Sequence, residues 1–269
     1  MSLAPMNYDF GNASNYSFAT TITCENEDAR KMFVEGFGHM LNFNHEQAIA
    51  CYMKVAELDS NCAMAYWGIA YCVSSNYNWT PGLGSGFDAI QQAVALKAGC
   101  TELEQDLIDA LAERHSEEAR DAADPSVLNM GNTPELNAAF AAAMAPLYKK
   151  YKGNLDVAAI YVEALMNLKA WQLWDKNTET GEITPADDNT LTCVQVMEDA
   201  FENIDGAKEH IALNHLYCHC LELSPFPERA LPAADLLRTA MPGMGHLVHM
   251  PSHIDCLLYT SPSPRDSDS

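Results

Sequence analysis

HIALNHLYCHCLELSPFPERALPAADLLRTAMPGMGHLVHMPSHI, residues His210 to Ile254, repeats its histidines with a period. His215 recurs 34 residues on as His249, and His219 recurs at the same interval as His253. A period of about 34 residues is that of a helix–turn–helix repeat, whose units stack on one another to bury their apolar faces. Between the paired histidines, Pro227 and Glu228 suit a helix start, Ala230 and Ala234 are small positions on one face, and Pro242 with Gly243 is a stop. The stretch therefore predicts an all-α fold in which two successive first-helices carry matching histidines.

Helical geometry sharpens the expectation. His215, His219 and Glu222 fall on one stripe of their helix, and His246, His249 and His253 fall on one stripe of the next. Ala230 and Pro242 stand at the small and proline positions of the tetratricopeptide (TPR) repeat, which the segment resembles, with Cys218 where that motif carries glycine. The resemblance implies a right-handed superhelix of about five or six stacked hairpins. It also implies that His215 and His219 line the concave surface, and by the same register so do His246, His249 and His253.

A second stretch, from Glu27 to Val73, is the most TPR-like part of the chain. Gly36 occupies the motif glycine, Ala48 the motif alanine and Tyr52 the aromatic position, and Trp67-Gly68 begins the next unit. The closing proline of the family is replaced by Ser60. The resemblance extends over residues 25–254 and is weakest across 86–189. It implies a scaffold that binds a peptide or protein in its groove, although TPR grooves of that kind present Lys, Arg and Asn where this one would present His and Glu.

Composition limits the partners. The chain has 269 residues, a formal charge of −22 and only 15 Lys and Arg, which argues against nucleic acid or an anionic membrane surface and favours cations or basic partners. No apolar run is long enough for a membrane span. The start, MSLAPMNYDF, lacks the pattern of a signal peptide, so a cytoplasmic location is expected and the sequons at Asn12, Asn15 and Asn78 carry little weight. Nine scattered cysteines without a CxxC pair read as reduced core thiols. Residues 1–24, polar and aperiodic, read as an irregular, loosely attached arm. CLLYTSPSPRD, Cys256 to Asp266, matches one in-frame translation of a transposase-type sequencing adapter, so residues 255–269 are expected to be a non-native tail that truncates the helical region.

The middle of the chain offers fewer signals. Ser74 to Gly86 reads as a glycine-rich loop, without the lysine or context of a phosphate loop. Glu102 to Asp124 carries nine acids against Arg114 and Arg120 and reads as a solvated helical face, with His115 exposed on it. LDVAAIYVEALMNLKAWQLW predicts one helix on which Glu163, Asn167, Trp171 and Trp174 form a stripe, with Trp171 and Trp174 as groove-lining aromatics. Asp175 to Asn189 reads as a long loop.

The chemistry rests on the histidine stripes. Two imidazoles one turn apart chelate a divalent transition metal, zinc, iron, copper or nickel, and Glu222 adds an oxygen. The candidate ligands are His215, His219, Glu222, His246, His249 and His253, with His45 as an additional one if the superhelix curls its ends together. An open coordination position would allow Lewis-acid, hydrolytic or oxygen chemistry. The alternative is a non-catalytic scaffold whose groove histidines hydrogen-bond a peptide or protein. No HExxH, GxSxG or dinucleotide fingerprint competes with these readings.

Overall fold

Short polar side chains mark where the helices begin. In a computed structural model, which describes residues 16, 18–78, 84–122 and 133–259, Asn26 caps α1 (Glu27–Leu41) by accepting from the amides of Asp28 and Ala29. Thr101 and Glu104 form a reciprocal capping box on α5 (Glu102–Ala112). Ser116, Thr133, Asn154 and Asp187 cap α6 (Glu117–Asp121), α7 (Pro134–Lys150), α8 (Leu155–Met166) and α9 (Asp188–Asn203) in the same way. Each cap satisfies amides that the first helical turn leaves without partners. The chain is mostly helical, and it divides into two compact units, the first ending at Trp171 and the second starting at Gln172.

In the first unit α1 packs on α2 (His45–Leu58), α2 on α3 (Ala63–Val73) and α3 on α4 (Phe87–Leu96). Farther along, α5 packs on α7 and α7 on α8. Tyr52 explains the close approach of the first three helices. A β-carbon added at Gly36 would lie 3.0 Å from the Tyr52 ring, and one added at Gly68 would lie 2.5 Å from it. The ring fills the space that two side chains would otherwise need, so both glycines are required by packing. Phe33, Phe37 and Trp67 complete this aromatic core.

The structure differs from the sequence reading at several points in this unit. The end of the expected loose arm is packed, with Tyr16, Phe18, Ala19 and Ile22 buried and the Phe18 amide donating to Asp156 Oδ2 at 2.7 Å. His115 and Glu104, expected on a solvated face, are buried at 8% and 1% exposure. Glu104 accepts from the Thr23 amide at 2.7 Å, so an acid-rich segment turns one carboxylate inward. The helix expected to reach Trp174 ends at Met166, followed by a single 3-10 turn and a left-handed φ of 63° at Trp171.

The second unit opens with a β-hairpin where a loop was expected. Strand β1 (Trp174–Lys176) pairs antiparallel with β2 (Ile183–Pro185), in the register Asp175 to Thr184. Gly181, at φ 75°, supplies the left-handed residue of the turn. Then α9 packs on α10 (Ile211–Leu221), and α10 on α11 (Leu231–Ala240). Two short helices follow, α12 (Gly245–His249) and α13 (Pro251–Tyr259). Pro251 cannot donate a backbone hydrogen bond and starts a new helix, so His246 and His249 belong to one helix and His253 to another. The segment expected as a non-native tail is helical through Tyr259, and residues 260–269 lie outside the described residues. Among the described residues no helix is long and apolar enough to cross a membrane.

Candidate metal centre

The centre is built on α10, all of whose residues are buried. His210 starts the helix as its N-cap, its Nδ1 accepting from the Leu213 amide at 3.3 Å, which accounts for that histidine outside the cluster. His215 and His219 follow one turn apart with ring centroids 4.9 Å from each other, and Glu222 stands one turn further on, 5% exposed. Against them α11 packs with both α12 and α13, the two helices that carry the remaining histidines. The His246 ring lies 4.8 Å from His215 and 5.5 Å from His219, and the His253 ring lies 5.7 Å from His219 and 4.7 Å from His249. All six residues singled out in the sequence thus meet in one cluster.

Glu222 organises the rings. Its Oε1 is 3.2 Å from His219 Nδ1, and its Oε2 contacts His253 Nδ1. A carboxylate only accepts, so each Nδ1 carries the proton and His219 Nε2 is left as a bare lone pair. That Nε2 lies 3.4 Å from His246 Nε2, which in turn lies 2.9 Å from His215 Nε2. The 2.9 Å contact accommodates one proton but not two, so at least two of the three Nε2 atoms are unprotonated. Burial pushes His246 down to about 3, and it also lowers His219, against the pull of Glu222. Burial alone would raise Glu222, but its hydrogen bonds to His219 and His253 outweigh that and hold it below the ordinary range. His253, bonded to Glu222, is raised.

This arrangement has the dimensions of a coordination sphere. Metal–imidazole bonds of roughly 2.0–2.1 Å at angles between octahedral and tetrahedral place neighbouring nitrogens roughly 2.9–3.4 Å apart. His215, His219 and His246 form one group able to hold a metal ion, and His219, Glu222 and His253 form a second that shares His219; the donor atoms of each lie within 4.8 Å of one another. His249 stands at the edge, its Nε2 2.9 Å from His253 Nε2 and its Nδ1 3.2 Å from Ser252 Oγ. Neither group contains a cysteine. Burial pushes the Cys218 and Cys220 thiols up to about 12, so both stay protonated, and all nine cysteines are free thiols.

The remaining candidates have other partners. His45 lies in the first unit, its Nδ1 2.8 Å from the Cys72 carbonyl. Trp171 closes the first unit and stacks on Tyr77 at 5.3 Å, whereas Trp174 belongs to the second. The Trp174 indole donates to the Cys220 carbonyl at 2.7 Å and meets Phe226 edge-on. The two tryptophans share no helical stripe, because the helix expected to carry both stops at Met166.

Fold and site together define a helical protein with a polyimidazole centre. Neither family models, curated proteins nor solved structures yield a match to the chain.

Proposed function

We propose that this is a TPR-like helical-repeat protein whose second unit binds a divalent transition metal through the Nε2 atoms of His215, His219 and His246. The observation that carries this reading is the convergence of the three Nε2 atoms at 2.9 and 3.4 Å, with Glu222 fixing the tautomer of His219. Three neutral imidazoles suit zinc, copper, iron and nickel, and they leave a fourth position to water. A metal there would act as a Lewis acid and lower the pKa of that water, giving hydrolytic chemistry. The TPR-like assignment is supported by Gly36, Ala48, Tyr52 and Gly68, whose packing matches the close helix approach that the repeat needs.

The test is elemental analysis of the purified chain after loading with zinc, copper, iron or nickel in turn, beside a His215→Ala/His246→Ala variant. Near-stoichiometric metal in the parent and none in the variant supports the centre; an empty parent after every loading refutes it. A second reading, a non-catalytic scaffold for a peptide or protein partner, has its own support. A cleft of about 460 Å³ between α9, α10 and α11 is lined by Phe201, Tyr217, Leu236, Lys208 and Arg229. Peptide binding that survives the double histidine substitution but not Tyr217→Ala would assign the scaffold role to that cleft.

A further inference from the structure

The three-imidazole group leaves two histidines of the cluster unused, His249 at the exposed end of α12 and His253 on α13. Their Nε2 atoms lie 2.9 Å apart, and their ring planes meet at 80°. What the gap between them can hold depends on which ring nitrogens carry the protons. The groups opposite the two Nδ1 atoms decide that.

On His253, Nδ1 contacts Glu222 Oε2, and a carboxylate only accepts, so the proton sits on Nδ1. On His249, Nδ1 is 3.2 Å from Ser252 Oγ. That hydroxyl has a single proton and donates it to the His249 carbonyl at 2.7 Å. Toward the ring it can only accept, so here too Nδ1 carries the proton. Both Nε2 atoms are therefore bare, and two lone pairs at this distance repel unless they share a cation. The separation is that of adjacent imidazole ligands at metal–nitrogen bonds of roughly 2.0–2.1 Å. The hydrogen bond to Glu222, which raises His253, also makes its Nε2 the stronger donor.

We infer that His249 and His253 hold a second divalent transition ion through their Nε2 atoms, at the solvent edge of the cluster. Its remaining positions are open to water or to an oxygen of an anionic ligand. The inference adds to the three-imidazole reading but stands on its own pair of rings. One carboxylate then serves both ions: Glu222 fixes His219 for the buried ion and His253 for the exposed one. Ser252 is a positioning residue, which fixes His249 in the same sense. Two ligands hold an ion more loosely than three, so the second ion exchanges when the protein is desalted, and elemental analysis of desalted protein counts only the first.

The experiment is calorimetric titration of the metal-free full chain with zinc chloride at neutral pH. A tight equivalent and a second, weaker one are expected. His249→Ala, a change at the exposed edge, should remove the weaker equivalent and keep the tight one. Ser252→Ala, which removes no ligand but frees the His249 tautomer, should weaken the second equivalent about tenfold and leave the first unchanged. In His215→Ala/His246→Ala the tight equivalent should vanish and the weaker one remain. If the parent takes up a single equivalent that His249→Ala removes and the double variant keeps, the three-imidazole reading fails and this one stands. The proposal fails if no equivalent depends on His249. Either only the buried ion then binds, with a shared proton between the two rings, or the weaker equivalent survives His249→Ala because it sits on carboxylates of an acidic chain.

Discussion

Both units bury histidines, and they use them in opposite ways. In the first, each ring has a partner of a different kind: His45 the Cys72 carbonyl, His115 the Ser74 hydroxyl at 3.4 Å, His39 the Asn44 side chain at 3.2 Å. In the second, ring nitrogens face other ring nitrogens, and a single carboxylate orients two of them. Burial depresses imidazole basicity in both units, so a depressed pKa does not separate the two uses. What separates them is the atom opposite. A carbonyl or hydroxyl completes an imidazole, whereas a second bare imidazole leaves room for a cation.

The largest effect that would break this contrast is on metal content. Replacing His215 and His246 by alanine should abolish metal binding, and with it the metal-dependent rise in thermal midpoint, while His39→Gln and His45→Gln should retain full metal content by elemental analysis. The next effect belongs to the first unit. His45 and His39 are each lowered by burial to about 4 from an ordinary value near 6.5. Their neutral forms therefore contribute stability that is fully present above about 6.5 and is lost as pH falls toward about 4, on the order of 3 kcal/mol for the fully buried His45. Thermal melts across that range should show the loss, and added metal should not restore it.

Gly68→Ala should cost about 1–3 kcal/mol by driving a methyl group into the Tyr52 ring, read as a lower urea midpoint with metal binding intact. Glu222→Gln should weaken metal binding about 10–100-fold, because glutamine cannot accept from both Nδ1 groups at once. His249→Ala, at the exposed edge, should have the smallest effect, leaving metal stoichiometry at the three-imidazole group unchanged.

Much of this was legible in the sequence because local rules set it. The His/Glu stripe of α10 follows from spacing along one helix, and Gly36, Tyr52 and Gly68, on three successive helices, stand at positions that the repeat spacing marks. What was not legible depends on pairing distant segments. The β-hairpin was hidden because three-residue strands show no alternation, and Glu104 and His115 were hidden because acid-rich composition dominates their neighbourhood. Burial of Arg114 and Glu163 left two traces: an arginine beside His115, and Glu163 set in the apolar run LDVAAIYVEALM. Neither trace has a meaning until folding brings Tyr71 between them.

The break at Pro251 bears on how the second unit holds together. Its last helices are short, and an ion bound by His219 and His246 would join positions 27 residues apart in the chain. As a cross-link it would restrict the unfolded chain much as a disulfide over a loop of that length does, by about 3–4 kcal/mol. In a chain whose cysteines are all free thiols, the metal would be the staple of the second unit as well as its chemistry, and chelation should loosen α12 and α13 before it disturbs α10.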